Sequence, residues 1–249
     1  MVFYFTATGN SKYIADIIAD ATGDHAINIS GCVQNGQYAF ELASGEPLGF
    51  VVPVYYFGIP IIVEDFLGKF TLSAKHDFYS YVVLNCGGST GNAERLISRA
   101  IRIDAVFGVQ TVENYVPMMD IVPEAEIKEK LDNVEKHIST IADRINNRDT
   151  GIYNDVAGRL PRFVCSFAYS IYKRGRKTNK FKVSEKCTSC GLCKSICPRQ
   201  IIEIEGDKPE WRTSQCELCL GCLHRCPTAS IDYGKSVGRG RYINPRVEW

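Results

Sequence analysis

Residues 187–198 read C-T-S-C-G-L-C-K-S-I-C-P, and residues 216–227 read C-E-L-C-L-G-C-L-H-R-C-P. Both are C-x2-C-x2-C-x3-C-P, so Cys187, Cys190, Cys193 and Cys197 recur as Cys216, Cys219, Cys222 and Cys226, each 29 residues later. The segment is an internal duplication. A cubane iron–sulfur cluster needs four thiolates around one small volume. Steps of three residues let a short turn supply three of them, and the x3 step carries the fourth past the turn to a proline that ends the regular backbone. Structural zinc sites usually draw paired cysteines from two separated knuckles. Disulfides among eight thiols so tightly spaced would be strained. The repeated spacing therefore predicts two 4Fe–4S clusters in a domain spanning residues 184–249.

Upstream of that domain the charge is unevenly distributed. The chain has 249 residues, 45% hydrophobic, with a formal net charge of +1. Residues 1–148 carry 11 Lys and Arg against 18 Asp and Glu, whereas residues 149–183 carry eight against two. An acidic domain is thus joined to the cluster domain by a basic linker with a short helix. No nucleic-acid motif accompanies the basic charge, so no nucleic-acid partner is expected. The longest apolar stretches, 50–63 and 163–172, fall short of the roughly 20 residues of a membrane span. No signal peptide is visible, and thiolates destined for iron imply a reducing compartment, so a cytoplasmic location is expected.

The first 148 residues alternate short apolar runs with helical periods. Strands are predicted at Met1–Phe5, Ala26–Ile29, Gly49–Val54, Tyr79–Asn85 and Val106–Val112, with helices after the first strand and at 60–69, 91–102 and 123–147. Ile127, Leu131, Val134, Ile138, Ile141 and Ile145 form a core-facing stripe on the last helix. Strands apolar on both faces and alternating with helices specify a parallel sheet covered on each side.

Ligand chemistry in such sheets gathers at the carboxyl ends of the strands. After the first strand comes T-A-T-G-N-S. The hydroxyls of Thr6, Thr8 and Ser11, with backbone N–H groups around Gly9 and Asn10, suit a phosphate at a helix N-terminus. The third strand leads into P-V-Y-Y-F-G-I-P, whose Val54, Tyr55, Tyr56, Phe57 and Gly58 suit a stacked flat ring. The fourth leads into Asn85, Cys86, Gly87, Gly88 and Ser89, where glycine allows close backbone approach. Glycines also mark plain tight turns, and the three aromatics would serve equally as core or as a domain contact. Neither G-x4-G-K-[ST] nor G-x-G-x-x-G occurs, which disfavours nucleoside-triphosphate and dinucleotide loops.

The T-x-T-G-N-[ST] turn resembles the FMN phosphate loop of flavodoxins, and all its specified positions match. The resemblance covers about residues 1–148. It implies a doubly wound five-stranded parallel α/β sheet of order 2-1-3-4-5. FMN phosphate would lie on Thr6, Thr8, Gly9, Asn10 and Ser11, and the isoalloxazine between Val54–Gly58 and Asn85–Ser89, with Tyr56 or Phe57 stacked on it. The loop after the fourth strand lacks the aromatic of long-chain flavodoxins. Residues 184–249 resemble the small α+β two-cluster bacterial ferredoxins, in which the fourth cysteine of each run ligates the other cluster. That implies one cluster on Cys187, Cys190, Cys193 and Cys226, and a second on Cys216, Cys219, Cys222 and Cys197. The whole chain resembles a flavodoxin–ferredoxin fusion of anaerobic prokaryotes.

Such a pairing implies an electron carrier with redox partner proteins, coupling one-electron clusters to FMN. A flavin-dependent reductase of a small substrate is the alternative, and a homodimer is left open. In the linker, Phe163, Phe167, Ser170 and Ile171 share a helical face expected to pack on the sheet domain, with docking of an acidic electron-transfer partner or contact with a membrane surface as the alternatives for this basic segment. Cys32, Cys86 and Cys165 read as small buried apolar residues. His224 reads as a surface residue rather than a ligand.

Overall fold

Apolar runs with burial on both faces build one parallel sheet. The computed structural model describes residues 1–249. In chain order its first part runs β1 (Val2–Tyr4), α1 (Asn10–Thr22), β2 (Ala26–Asn28), α2 (Ile29–Asn35), β3 (Ala39–Leu42), β4 (Leu48–Pro53) and α3 (Ile61–Leu67). There follow β5 (Thr71–Ala74), β6 (Ser80–Cys86), α4 (Ala93–Ile97), β7 (Ala105–Gln110), α5 (Glu124–Asn146) and β8 (Gly151–Tyr153). The main sheet has the order β2-β1-β4-β6-β7-β8, every pair parallel. Numbered among themselves, its first five strands have the expected 2-1-3-4-5 order, and β8 adds a sixth at the edge. Three residues starting with glycine carry no strand periodicity, and Ile152 is exposed, so β8 left no signal in the sequence. The small parallel pair β3–β5 was also unforeseen.

Alternation along the strands divides the core in two. Phe3, Phe50, Val52, Val82 and Leu84 meet α2, α3 and α4 on one face. Val2, Tyr4, Val51, Val83 and Phe107 meet α1 and α5 on the other, where Val134, Ile138, Ile141 and Ile145 of the predicted stripe are buried. The helix expected at 91–102 is cut to α4. Beyond it Asp104 accepts hydrogen bonds from the Ser80 N–H (2.9 Å) and hydroxyl (3.0 Å), which tie the chain back to the sheet.

A long helix, α6 (Arg162–Gly175), links this part to the duplicated one. The latter comprises β9 (Phe181–Val183), α7 (Leu192–Ser195), the hairpin β10 (Ile202–Glu205)–β11 (Lys208–Trp211), α8 (Gly221–His224) and β12 (Ile231–Tyr233), with β12 antiparallel to β9. The duplication is written into the backbone. Ser189 and Leu218, Gly191 and Leu220, and Gln200 and Ala229 are matched pairs, all with left-handed φ.

The buried face of α6 corrects the expectation. Cys165, Tyr169 and Tyr172 face inward, whereas Phe163 and Phe167 are 75% and 69% exposed. Tyrosine wins because its hydroxyl finds partners: Tyr169 donates to the Ile59 carbonyl (2.7 Å), and Tyr172 is 3.0 Å from a Glu217 carboxylate oxygen. A Cβ at Gly58 would clash with the Tyr169 ring, so only glycine admits the helix so close.

Candidate functional site

The carboxyl ends of β1, β4, β6 and β7 open onto one cavity of about 370 Å3, within the range of small-molecule sites. Its first wall is the turn after β1. Gly9, with φ 104°, precedes α1, and its N–H donates to the Thr6 hydroxyl at 3.0 Å. The first-turn amides of α1 have no partner within the helix, which makes this end suited to an anion. Thr6, Thr8, Asn10 and Ser11 line the cavity, but Gly9 does not, because Asn244 and Val247 pack against it. The Asn10 amide is already committed within the protein. Its Nδ2 donates to Thr111 Oγ1 (3.2 Å) and the Val112 carbonyl (3.4 Å), and its Oδ1 accepts from Tyr242 Oη (2.6 Å) and Asn244 Nδ2 (3.1 Å). Only the Asn10 backbone N–H is left to serve a ligand.

The second wall is a tight turn. Tyr55 N–H donates to the Gly58 carbonyl (2.8 Å) and Gly58 N–H returns the bond (3.0 Å). Tyr56 and Phe57 between them have φ of 50° and 64°. Two left-handed residues closing a paired turn define the type I′ geometry, normally given to Asn and Gly. Bulky side chains here carry strain of order 1–3 kcal/mol each. The turn is held from outside: Tyr56 stacks on Tyr172 at 5.7 Å, and the Phe57 carbonyl accepts from Asn92 N–H at 2.8 Å. Val54, Tyr55, Tyr56 and Phe57 line the cavity, while Gly58 lies behind under Tyr169.

Asn85, Cys86, Gly87, Gly88 and Ser89 form the third wall. Asn85 Nδ2 donates to Ser11 Oγ (3.0 Å), which joins this loop to the first. Burial, aided by the nearby Glu113, pushes the Cys86 thiol up to about 12, so it stays protonated at neutral pH.

Sequence reasoning missed a fourth wall, the loop after β7 that contributes Thr111, Glu113, Tyr115, Met118 and Met119. The rule that ligands gather at strand ends, applied to the fifth predicted strand, would have found it. Tyr115 supplies an aromatic edge to Tyr56 (5.4 Å). Also missed was the contribution of the duplicated part, since Leu218, Cys219 and Leu220 complete the cavity. Leu220 stands where the first repeat has Gly191, keeping the left-handed backbone (φ 57° against 76°) while placing a side chain on the cavity wall.

The eight repeated thiols form two quartets. Cys187, Cys190 and Cys193 share a hollow with Cys226, closed by Pro227, Ile204 and Ile231. Cys197 crosses to the other quartet. It is buried with Cys216, Cys222, Ile202 and Leu223, close enough to Cys219 for their charges to interact. No three His, Cys, Asp or Glu side chains converge tightly enough to hold a single ion. Burial is graded: Cys190 is exposed, whereas Cys197, Cys216 and Cys222 are buried.

Three contacts fasten the duplicated part over the cavity. Glu217, 1% exposed, accepts from Ile62 N–H (3.1 Å), Arg199 Nε (2.9 Å) and the Tyr172 hydroxyl (3.0 Å). The residue before α3 is Pro60, which has no side-chain cap to give, so Glu217 caps that helix from across the interface. His224 is 3% exposed, which corrects the surface expectation. Its Nε2 lies 2.9 Å from the Asn114 carbonyl and its Nδ1 accepts from Tyr242 N–H at 3.2 Å. Burial lowers its pKa to about 4, which keeps the imidazole neutral. Finally, Asn244 N–H donates to the Thr8 carbonyl (2.8 Å), and Arg246 pairs with Glu135 (2.9 Å) on α5.

Comparison with known proteins matches residues 1–103 to the flavodoxin domain model and residues 181–203 to the 4Fe-4S binding domain model. A ferredoxin of Methanothermococcus thermolithotrophicus is 36% identical over 50 residues, which cover 19% of this chain and 83% of that protein. A segment of NADH-quinone oxidoreductase subunit I of Pelobacter propionicus is 30% identical over 84 residues, 28% of this chain. The match spans 45% of that subunit's own length. No helix is long and apolar enough to cross a membrane.

Proposed function

The chain joins a flavodoxin domain to a domain of the ferredoxin family, an architecture of electron transfer, and from this we propose that it passes electrons between two 4Fe–4S clusters and FMN, coupling one-electron to two-electron partners. Clusters exchange single electrons while FMN takes one or two, and the protein supplies position and environment.

The observation that carries this reading is the place of Cys219. It belongs to the second cysteine run and also lines the flavin-sized cavity. In this reading Thr6, Thr8, Ser11 and the first-turn amides of α1 hold the phosphate, and Tyr56 and Phe57 flank the ring. Cys216, Cys219, Cys222 and Cys197 hold the cluster nearer the flavin. Cys187, Cys190, Cys193 and Cys226 hold the outer one, where the exposure of Cys190 suits exchange with a partner protein. Leu218 and Leu220, both buried, flank Cys219 on the cavity wall.

Anaerobic reductive titration, following flavin and cluster absorbance together, tests the proposal. Two clusters and one FMN per chain, with electrons redistributing among them, are expected. Clusters without flavin, or no exchange between them, would refute it.

A second reading, a reductase of a small substrate, is favoured by one observation: the Glu113 carboxylate lines the cavity and offers a site for proton exchange. Steady reduction of a quinone faster than by free FMN, lost in Glu113→Gln, would select it.

A further inference from the structure

Between Asp155 and Glu185 the chain contains no acidic residue and eight basic ones. Lys173 pairs with Glu64, and Arg176 bonds to the Cys216 carbonyl. The other six, Arg159, Arg162, Arg174, Lys177, Lys180 and Lys182, are exposed. The same stretch contains α6, whose outward face presents Phe163, Phe167 and Ile171 at steps of four. Leu160 precedes them, and Leu160 and Ile171 are each 51% exposed. The inward face is fully used by Tyr169 and Tyr172, so the apolar ridge cannot turn into its own core.

We propose that this ridge seats the protein on an anionic lipid bilayer, with α6 lying in the plane of the membrane surface. Three arguments on charge and shape select that occupant. A second copy related by a two-fold axis would set the patch against itself, bringing cations onto cations with no carboxylate in the stretch to separate them. A ridge standing out on the surface needs a fluid or concave partner, and a bilayer interface accepts it without a matching groove. The cations bracket the ridge, Arg159 and Arg162 at one end and Arg174, Lys177 and Lys180 at the other. Both ends of a helix lying flat then reach headgroups while the phenyl rings enter the acyl boundary.

The docked face lies beside the cavity. Asn92 Nδ2 donates to the Arg162 carbonyl (2.9 Å) and Ser166 Oγ (3.0 Å), and its backbone N–H holds the Phe57 carbonyl. The membrane seat and the aromatic turn are thus one bonded unit.

The test is flotation of the full-length, cofactor-loaded protein with vesicles of phosphatidylcholine alone and of phosphatidylcholine mixed with phosphatidylglycerol. Binding to the mixed vesicles only, weakened by salt, is expected. Phe163→Ser with Phe167→Ser should lower the partition coefficient by more than about tenfold. Arg174→Gln with Lys177→Gln should lower it about fivefold per charge. All four side chains are exposed, so circular dichroism and cofactor absorbance should match the parent protein. Absence of vesicle binding would overturn the proposal, as would binding indifferent to the two phenylalanines. A dimer dissolved by the serine pair would reassign the ridge to a second copy. Association with an acidic carrier protein but not with vesicles would reassign it to protein docking.

Discussion

Removing the Glu217 carboxylate should loosen the contact between the two halves more than any other single change at that interface. The group lies within the second cysteine run and is almost wholly buried, yet three donors converge on it: Ile62 N–H, Arg199 Nε and the Tyr172 hydroxyl. Glu217→Ala would leave Ile62 N–H and Arg199 Nε facing a void and the Tyr172 hydroxyl with the residue 217 backbone carbonyl alone. Losing one partner of a buried, hydrogen-bonded charge pair costs about 3–5 kcal/mol. Arg199 retains Asp65 at 2.7 Å, which favours the lower end of that range. Glu217→Gln can keep one oxygen towards Ile62 and Arg199, and the Tyr172 hydroxyl can remain on the Glu217 backbone carbonyl at 3.0 Å. It loses mainly the charge assistance, about 1.5–3 kcal/mol. A chain with several cofactors does not unfold in two states, so hydrogen exchange at the start of α3 is the appropriate assay. The Ile62 amide should exchange about a hundredfold or more faster in the alanine variant and about ten- to a hundredfold faster in the glutamine variant. If alanine changed that amide less than tenfold, or if the two variants behaved alike, Glu217 would not be the cap argued for it.

Further outcomes are expected. Cys190→Ser should disrupt the outer cluster and leave the flavin spectrum unchanged. Cys219→Ser should disturb both cluster and flavin absorbance, because that thiol borders the cavity; a flavin spectrum indifferent to it would remove the link between the two. Tyr242→Phe with Asn244→Ala withdraws both side-chain donors from Asn10 Oδ1. At about 0.5–1.5 kcal/mol per hydrogen bond, FMN dissociation should rise about tenfold in a fluorescence titration, with cluster content unchanged. Removal of iron by chelation under reducing conditions should unfold residues 181–249, whose apolar cluster is built around the thiols. The main sheet has two apolar faces of its own and should keep its slow-exchanging amides.

The sheet was legible because its strands are apolar on both faces, a pattern that fits little besides a covered parallel sheet. The eight cysteines were legible as a ligand set because one spacing recurs 29 residues later, whereas the crossing of Cys197 and Cys226 between the runs was implied by the resemblance to two-cluster ferredoxins and not by spacing. Helix α6 was misread for a definite reason. Periodicity ranks Phe163 and Phe167 above Tyr169 and Tyr172, but burial went to the side chains whose hydroxyls could be satisfied at the Ile59 carbonyl and Glu217. His224 was misjudged likewise, its partners Asn114 and Tyr242 lying 110 and 18 residues away. Leu218 and Leu220 gave no local hint of a cavity, because the wall they complete belongs to the other half of the chain. The hydrogen bonds of Asn10 to Tyr242 and Asn244 span more than 230 positions and could not be read from either end.

The fastening of the two halves has a kinetic consequence. Separate carriers meet by diffusion, so their exchange slows with dilution and varies with ionic strength. Here Glu217, His224 and the stretch from Tyr242 to Arg246 hold the second cysteine run against the cavity. Under the proposed function, electron passage between the halves would then be a first-order event. Its rate should be the same in dilute and concentrated protein and indifferent to salt, and collision is left to govern only the exchange with outside partners.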